Sequence, residues 1–362
     1  MAVKKRLQSL DIVRGFTVAG MILVNNGHSG SFETLRHAQW NGLTLCDLVF
    51  PFFLFIMGVS IYLSFSGRGF EMTAPKFWKI LKRTVLLLLI GLLINWFDKA
   101  IAGNVLCFET LRYWAVLQRI ALCYFLACII ALTVKHRYVL WIVAGLIVAY
   151  SAILILGHGY DYDASTNVLA RVDLSLFGYD HIYHKSPVDP EGLLGTVSAL
   201  VNVLLGFYCG LKIKQKSTVD EKISAVLLAG AVMLIIGFVI SYGLPLNKRV
   251  WSPSYALVSS GFCALLFGVV MKIVDGQQPR HWVGSCMNFF KVFGVNALVL
   301  YVFSEFFAII ISEFGISDAY FNFLASLIAV PQLASLAYAI TLVMICYAVG
   351  YPLYSRKIYI KL

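Results

Sequence analysis

Residues 138–156 read YVLWIVAGLIVAYSAILIL, a run of 19 residues without a charged side chain. A helix of about 20 apolar residues is long enough to cross the hydrocarbon core of a bilayer. Apolar runs of similar length recur near 12–28, 44–65, 81–97, 113–133, 193–212, 223–243, 254–274, 288–311 and 332–354. The sequence therefore predicts an all-α, polytopic transmembrane helix bundle of about ten spans.

A shorter apolar stretch at 320–330 precedes Pro331 and gives an alternative count of about eleven spans if it also crosses. The long connection at 157–192 is rich in Asp, Tyr, His and Gly, and we expect it to fold over one mouth of the bundle. We predict a single transmembrane domain over residues 1–362, with this connection as its outer loop.

The composition excludes several classes of protein. Of the 362 residues, 60% are hydrophobic and 13% are charged, whereas a soluble domain carries roughly 25% charged residues. Such hydrophobicity rules out a disordered chain. The net charge of +11 does not indicate nucleic-acid binding, because basic nucleic-acid-binding patches lie on polar domains.

The positive charges are concentrated on one side of the predicted bundle, as in the cytoplasmic loops of membrane proteins. Cytoplasmic N- and C-termini place most of the 29 basic residues on that side: Lys4, Lys5, Arg6, Arg14, Arg68, Lys76, Lys79, Lys82, Arg83, Lys135, Arg137, Lys212, Lys214, Lys216, Lys222, Lys272, Arg280, Lys291, Arg356, Lys357 and Lys361. No Asn-x-Ser/Thr sequon occurs. We therefore predict an integral membrane protein in contact with lipid, in a bacterial inner membrane.

Polar groups within or beside the spans are candidates for function, because they are expensive in a bilayer. Asn25, His37 and Asp47 can converge at the outer membrane level, and a histidine oriented by a carboxylate or an amide is typical of a general base. A loop histidine that is merely solvated is the alternative. Asp11 and Arg14 form either a helix-end ion pair or a cytoplasmic anion site.

Other polar residues allow two interpretations each. Arg119 faces the bundle interior, either in an ion pair with Asp47 or Glu305 or in contact with an anion or substrate. Asn296, placed near mid-membrane, either bonds a neighbouring helix or belongs to a site. Asp189 and Glu191 either cap the next helix or bind a ligand. The spacing of His181 and His184 lacks further ligands, so no metal site is predicted.

Several ordered blocks resemble the heparan-α-glucosaminide N-acetyltransferase family. The most specific is His37-Ala-Gln-Trp-Asn-Gly-Leu-Thr44, which runs into Asp47-Leu-Val-Phe-Pro51. The further blocks are Arg6–Gly15, Leu117–Ala121, Asp180–Tyr183, Asp189–Thr196, Asn247-Lys248 with Trp251-Ser252, and Gly294–Ala297. The resemblance covers nearly the whole chain. The lysosomal members carry an additional N-terminal luminal segment and one more span, which we do not expect here.

The resemblance implies a transmembrane acyltransferase that moves acetyl from cytoplasmic acetyl-CoA to the amine of a glucosamine-type sugar on the outer side. His37 corresponds to the family's active-site histidine, and Asn25, or alternatively Asn26, to its asparagine. The expected catalytic residues are thus His37, Asn25 and Asp47. A homodimer is also suggested by the resemblance.

The remaining site predictions divide between the two substrates. Acetyl-CoA is the only cofactor expected, as co-substrate, and its phosphates would stay at the basic face. The residues predicted to bind it are Asp11, Arg14, Arg83, Arg119 and Asn296, with Lys79, Lys82 and Lys291 as further phosphate partners. The residues predicted to bind the sugar are Trp40, Asn41, His181, Asp189 and Glu191.

The sequence leaves two choices open. His37 would serve either as the base that deprotonates the acceptor amine or as a covalent carrier of the acetyl group. A proton-coupled secondary transporter of sugars or cell-wall fragments is the alternative function, with Asp47, Arg119 and Glu305 as its path.

Overall fold

The computed structural model describes residues 7–276 and 281–360, and this part of the chain is helical without a strand. The sequence predictions for Lys4, Lys5, Arg6, Arg280 and Lys361 fall outside the described residues. The helices are α1 (Gln8–Asn25), α2 (Leu45–Phe65), α3 (Ala74–Ile101), α4 (Val116–Thr133), α5 (Val139–Leu156), α6 (Val168–Phe177), α7 (Thr196–Gln215), α8 (Val219–Ser241), α9 (Pro253–Met271), α10 (His281–Val295), α11 (Ala297–Glu313), α12 (Ile316–Leu327) and α13 (Pro331–Ser355).

Within the described ranges, eight helices are long and apolar enough to cross a membrane: α2, α3, α4, α5, α7, α8, α9 and α13. The pair α10 and α11 raises the number to nine if it counts as one broken span. Helix α1 also has 18 residues, but it is not one of these eight helices. Asp11 and Arg14 lower its hydropathy. The predicted all-α polytopic bundle is confirmed, and the chain is an integral membrane protein.

The predicted continuous span at 288–311 is wrong. Helices α10 and α11 meet at an angle of 81°, because the backbone leaves the helical conformation at Asn296 (φ −121°, ψ 38°). Gly294 packs against the backbone of Asp11 in the first turn of α1. Asn296 therefore lies near the start of α1 and not at the middle of the membrane.

The eleventh crossing considered for 320–330 is also not supported. Helix α12 has 12 residues, about 18 Å at 1.5 Å per residue, which is too short to span the hydrocarbon core alone. It packs on α11 and α13 through a cluster that includes Ile311, Phe321 and Tyr338. This small unit lies beside the main core.

Glycines allow the backbones of neighbouring helices to approach closely. A Cβ atom on Gly58 of α2 would collide with the carbonyl of Val203 in α7, and one on Gly15 of α1 would collide with the carbonyl of Phe290 in α10. Small residues at such crossings permit tight packing where helix association gains little from the hydrophobic effect. The close α2–α7 contact fixes the middle of α2, and the start of the same helix carries the residues described below.

Two faces of the bundle are distinguished by charge. The basic face is the side on which α2 ends and α3 begins, and Arg68, Lys76, Lys79 and Arg83 lie there. The opposite face is the side on which α2 begins. The 157–192 connection lies at the opposite face, contains α6, and packs through Leu169 on Tyr150 and Leu154 of α5.

Candidate functional site

The His37 side chain is anchored to the first turn of α2. Thr44 caps this helix in a reciprocal capping box, in which the Asp47 carboxylate accepts a hydrogen bond from the Thr44 backbone N–H. The other carboxylate oxygen lies 2.8 Å from His37 Nδ1. Because an ionised carboxylate only accepts hydrogen bonds, Nδ1 is the donor in this contact, and Nε2 is the ring nitrogen that the carboxylate leaves open.

The Asp47 carboxylate is completely buried, whereas the His37 side chain is 46% exposed. Asp47 Oδ2 also accepts from the Ala38 N–H at 3.2 Å and from Thr44 Oγ1 at 2.9 Å. Counting His37, four donors hold the buried Asp47 carboxylate in place. The carboxylate in turn fixes the partly exposed imidazole at the opposite face. The structure thus brings together two of the three residues predicted to be catalytic.

Two neighbours of His37 were not predicted as site residues. Lys248 Nζ lies 3.0 Å from Nδ1 and 3.1 Å from Nε2 of the ring, and Cys46 Sγ lies 3.0 Å from Nδ1. Lys248 belongs to one of the quoted sequence blocks, but it is 211 residues from His37. One feature of the sequence could have marked Lys248 as a site residue: it is a lysine on the face that carries few basic residues.

The predicted asparagine, Asn25, has a neighbour on α11. Its side chain lies beside the Glu305 carboxyl, as does the Tyr301 hydroxyl. Asn26 donates from Nδ2 to the carbonyl of Ile22 at 2.7 Å, within its own helix. None of these contacts involves His37, and the expected convergence of Asn25 with His37 and Asp47 stays a prediction.

Trp40 and Asn41 form the rim beside His37. Trp40 Nε1 donates to the carbonyl of Tyr160 at 2.9 Å and thereby ties the rim to the 157–192 connection. Asn41 Oδ1 accepts from Asn247 Nδ2 at 3.1 Å. These contacts join the rim to both the outer connection and the segment that carries Lys248.

Arg119 stabilises a turn of the 157–192 connection. Helix α4 begins at Val116, three residues later than the predicted span, so Arg119 lies in its first turn at the opposite face. Its two Nη atoms donate to the carbonyls of Pro190 at 2.9 Å and Gly192 at 2.7 Å. Its guanidinium lies 4.8 Å from the centre of the Trp251 ring. The ion pair considered with Asp47 or Glu305 is replaced by these carbonyl contacts.

Asp189 and Glu191 surround another arginine, Arg112, which the sequence analysis did not select. Arg112 Nη2 lies 2.7 Å from Asp189 Oδ1 and 3.2 Å from Glu191 Oε2. Burial raises the pKa of Asp189 above its usual value despite this arginine. Burial would also raise the pKa of Glu191, but the charges of Arg112, Lys248 and Arg119 bring it below its usual value.

His181 lies in the same part of the 157–192 connection. Its Nδ1 donates to the carbonyl of Leu111 at 2.8 Å, and its ring stacks on Tyr113 with centroids 4.0 Å apart. Three of the five residues predicted to bind the sugar thus lie around the 111–113 segment. Among the residues that the structure describes, no three His, Cys, Asp or Glu side chains are placed to hold a metal ion.

A cavity of about 460 Å³ lies between α1, α2, α3, α4 and α11. Five basic side chains line it toward the basic face: Arg14, Arg68, Lys76, Lys79 and Arg83. The remaining wall is mostly apolar, with Phe53, Met57, Leu87 and Leu117 among its residues. A cationic mouth with an apolar interior suits a ligand with an anionic head and a slender, less polar arm.

Arg14 and Asp11 lie at this mouth in the predicted pairing. Arg14 Nη1 is 3.1 Å from Asp11 Oδ1, and Arg14 Nη2 donates to Ser60 Oγ at 2.7 Å. The pairing orients the guanidinium along the wall of the cavity. Asp11 therefore acts on the cavity through Arg14.

Asn296 holds the segment that follows α13. Its Nδ2 donates to the carbonyl of Ile358 at 2.9 Å, and its Oδ1 accepts from the N–H of Ile360 at 3.0 Å. Ile360 in turn lines the cavity beside Arg14. The contacts of Asn296 thus place it beside the predicted acetyl-CoA site, where it anchors a piece of the cavity wall.

Comparison with known proteins identifies relatives of the chain. The family model described as "Heparan-alpha-glucosaminide N-acetyltransferase, catalytic" matches residues 6–175. The human protein named heparan-alpha-glucosaminide N-acetyltransferase is 29% identical over 84% of this chain and 54% of its own length. The mouse protein of the same name is 28% identical over 83% of this chain and 53% of its own length. The family resemblance predicted from the sequence is confirmed.

The similarity to heparan-alpha-glucosaminide N-acetyltransferases includes the surroundings of His37 and most of the cavity lining. The family model covers His37, Asp47, Arg112 and Arg119, while Lys248 lies beyond its end. The chain spans about half the length of the curated relatives it matches.

Proposed function

We propose that this protein is a membrane-embedded N-acetyltransferase, which moves acetyl from acetyl-CoA at the basic face to the amine of a glucosamine-type sugar at the opposite face. The observation that supports it most strongly is the imidazole of His37, which is nearly half exposed, fixed by a buried carboxylate, and within the residues 6–175 that the family model matches. In this proposal the basic face is cytoplasmic and the membrane is a bacterial inner membrane.

The basic-mouthed cavity is the proposed acetyl-CoA site. Phosphate groups pair well with arginine and lysine, and Arg68, Lys76, Lys79 and Arg83 supply four such partners together with Arg14. The apolar interior would accommodate the pantetheine arm without burying unpaired charge. The nucleotide would then remain at the basic face, while only the acetyl-bearing arm enters the bundle.

The cavity is long enough to carry an acetyl group most of the way across. Its lining residues on α4 run from Cys128 to Val116, twelve residues or about 18 Å of helix. On α2 the lining begins at Phe53, six residues or about 9 Å from Asp47. The side chain of Phe50 lies between these levels and packs against Trp251 with ring centroids 5.3 Å apart.

The proposed chemistry uses the lone pair of His37 Nε2. The imidazole takes a proton from the acceptor ammonium, the amine nitrogen bonds to the acetyl carbon, and the carbon–sulfur bond breaks to release CoA as a thiol. Alternatively, Nε2 itself bonds to the acetyl carbon while the carbon–sulfur bond breaks and CoA leaves. In a second step the amine bonds to the acetyl carbon and the bond to Nε2 breaks, which frees the imidazole. Both routes need an uncharged imidazole, and Asp47 orients it for either.

The acceptor would bind at the opposite face, between His37 and the outer connection. Trp40 and Asn41 form the near rim. Asp189 and Glu191, paired with Arg112, lie in the connection that would cover the sugar. The names of the human and mouse relatives indicate a glucosaminide substrate for those proteins. We extend that substrate class to this chain.

The test is acetyl transfer by purified protein. Labelled acetyl-CoA and a panel of amino sugars are supplied, and both free CoA and labelled sugar are measured. We expect transfer by the wild type, loss of turnover in His37→Ala, and near-normal turnover in His184→Ala, a matched change of an exposed histidine on the same face. Full transfer by His37→Ala would contradict the role of the imidazole.

A transporter would give a different result in the same preparation. Proteoliposomes that exchange labelled sugar without any CoA, and that never release CoA from acetyl-CoA, would overturn the acetyltransferase proposal. Acetyl-CoA binding without transfer to any amino sugar would leave the donor site in place and disprove the acceptor class.

A further inference from the structure

Two opposite charges contact the His37 imidazole. Asp47 Oδ1 lies 2.8 Å from Nδ1, and Lys248 Nζ lies 3.0 and 3.1 Å from the two ring nitrogens. The same ammonium is 3.9 Å from Asp47 Oδ1, and the Lys248 side chain is only 10% exposed. The ring thus lies against a buried ion pair.

The segment that carries Lys248 is fixed by its own hydrogen bonds. The Asn247 N–H donates to Ser252 Oγ at 3.1 Å, and Asn247 Oδ1 accepts from the Val250 N–H at 3.2 Å. Trp251 adopts a left-handed backbone with φ of 49° and donates from Nε1 to Asn202 Oδ1 at 2.9 Å. A buried non-glycine residue in this conformation persists only where its surroundings determine it.

The ammonium and the carboxylate act on the imidazole in opposite directions. A nearby carboxylate favours the imidazolium, and a nearby ammonium disfavours it. The nearly equal distances from Nζ to the two ring nitrogens place the ammonium against the face of the ring, so it acts on the imidazole through its charge. The charge of Asp47 alone would increase the affinity of the ring for a proton, and the charge of Lys248 opposes this increase.

We propose that Lys248 is a positioning residue that keeps the His37 imidazole uncharged at neutral pH, in the state needed to accept either a proton or an acetyl group. The role of Lys248 in turnover rests on the proposed acetyltransferase function, whereas its effect on the protonation of His37 does not. The other titratable groups around the ring are Cys46, whose Sγ is 3.0 Å from Nδ1, Tyr255, which donates to the Asp47 carbonyl, and Glu191, which interacts with Lys248 electrostatically.

The test measures the uncharged fraction of His37 without using enzyme activity. Diethyl pyrocarbonate modifies only unprotonated imidazole, so the initial rate of His37 modification, followed by peptide mass spectrometry across pH 5 to 9, reports that fraction. We expect the pH midpoint to rise by about one unit in Lys248→Met, and to stay near the wild-type value in Lys248→Arg. Lys185→Met removes an exposed cation from the same face and controls for general surface charge.

An unchanged midpoint in Lys248→Met, or an equal shift in Lys185→Met, would overturn the proposal. Lys248→Gln provides a second neutral variant if the Met variant does not fold. Where acetyl transfer is measurable, the acid limb of its pH profile should move with the modification midpoint. Absence of transfer in the wild type would disprove the proposed function while leaving the modification result valid.

Discussion

The His37 cluster and the basic-mouthed cavity lie at opposite faces and handle charge in opposite ways. In the cluster, the charged groups are enclosed: Asp47 is completely buried, Lys248 is nearly so, and each has several polar partners within the protein. At the cavity mouth, Lys79 and Arg83 are exposed and line an open space with like charges beside them.

Under the proposed function, this difference corresponds to a division of work. Enclosed, oppositely charged groups fix the position and protonation of a reacting group, whereas exposed like charges repel each other until an anion arrives. Changes in the cluster should therefore act on turnover, and changes at the mouth should act on binding of the donor.

The largest effect is expected for Asp47→Asn. An amide cannot accept all the hydrogen bonds that the carboxylate receives, and it leaves Lys248 without its anion, so turnover should fall by about 10²–10⁴-fold. Acetyl-CoA binding, measured by calorimetry, should be unchanged. Asp163→Asn, an exposed change on the same face, should keep normal turnover. A loss of acetyl-CoA binding in Asp47→Asn would contradict the division of work.

Enclosed charge at the opposite face should also appear as a pH dependence of stability. Burial raises the pKa of Asp173 to about 6, so the folded protein retains a proton that the unfolded chain, with a carboxyl pKa of about 3.9, has lost. This contribution is fully present below about pH 4 and is lost as pH rises through about 6, at most about 3 kcal/mol.

Thermal unfolding in detergent at pH 5 and pH 7 checks this sign. The unfolding temperature of the wild type should be lower at pH 7 than at pH 5, and this difference should be much smaller in Asp173→Asn. Asp163→Asn is the matched control, because hydrogen bonds from Ser165 lower the pKa of that exposed carboxyl and it stays charged throughout. Equal pH slopes in wild type and Asp173→Asn would contradict the prediction.

At the cavity mouth we expect a binding effect. The double change Lys79→Ala and Arg83→Ala should raise the Kd for acetyl-CoA by about 10–100-fold, more at low salt, with turnover at saturation nearly unchanged. Lys214→Ala, an exposed lysine on the same face outside the cavity lining, should have little effect. A fall in saturated turnover with an unchanged Kd would reverse the assignment of the two regions.

The smallest effect is expected for Asn296→Ala, which removes both hydrogen bonds to the segment after α13. The local loss is about 1–2 kcal/mol, and tryptic cleavage after Lys357 should become several-fold faster. Asn104→Ala, in an exposed loop, is the control. Unchanged cleavage would show that other contacts hold this part of the cavity wall.

Much of the architecture was predictable because it depends on local sequence. Runs of apolar residues give spanning helices wherever they occur, and the charge bias orients them. The pair of His37 and Asp47 was also within reach, since Asp47 follows the histidine by only ten residues and lies in the first turn of α2. The break at Asn296 was not, because apolar residues continue on both sides of it.

The sequence by itself determined the membrane bundle, its basic face, the family resemblance and the histidine block. Only the tertiary structure decided the partners of the buried charges: Lys248 reaches His37 across 211 residues, Arg119 bonds carbonyls of the outer connection, and Asn25 turns to Glu305. The physical reason is that a buried charge must be satisfied by whatever the fold places within hydrogen-bond distance, and that placement depends on helix packing between distant segments.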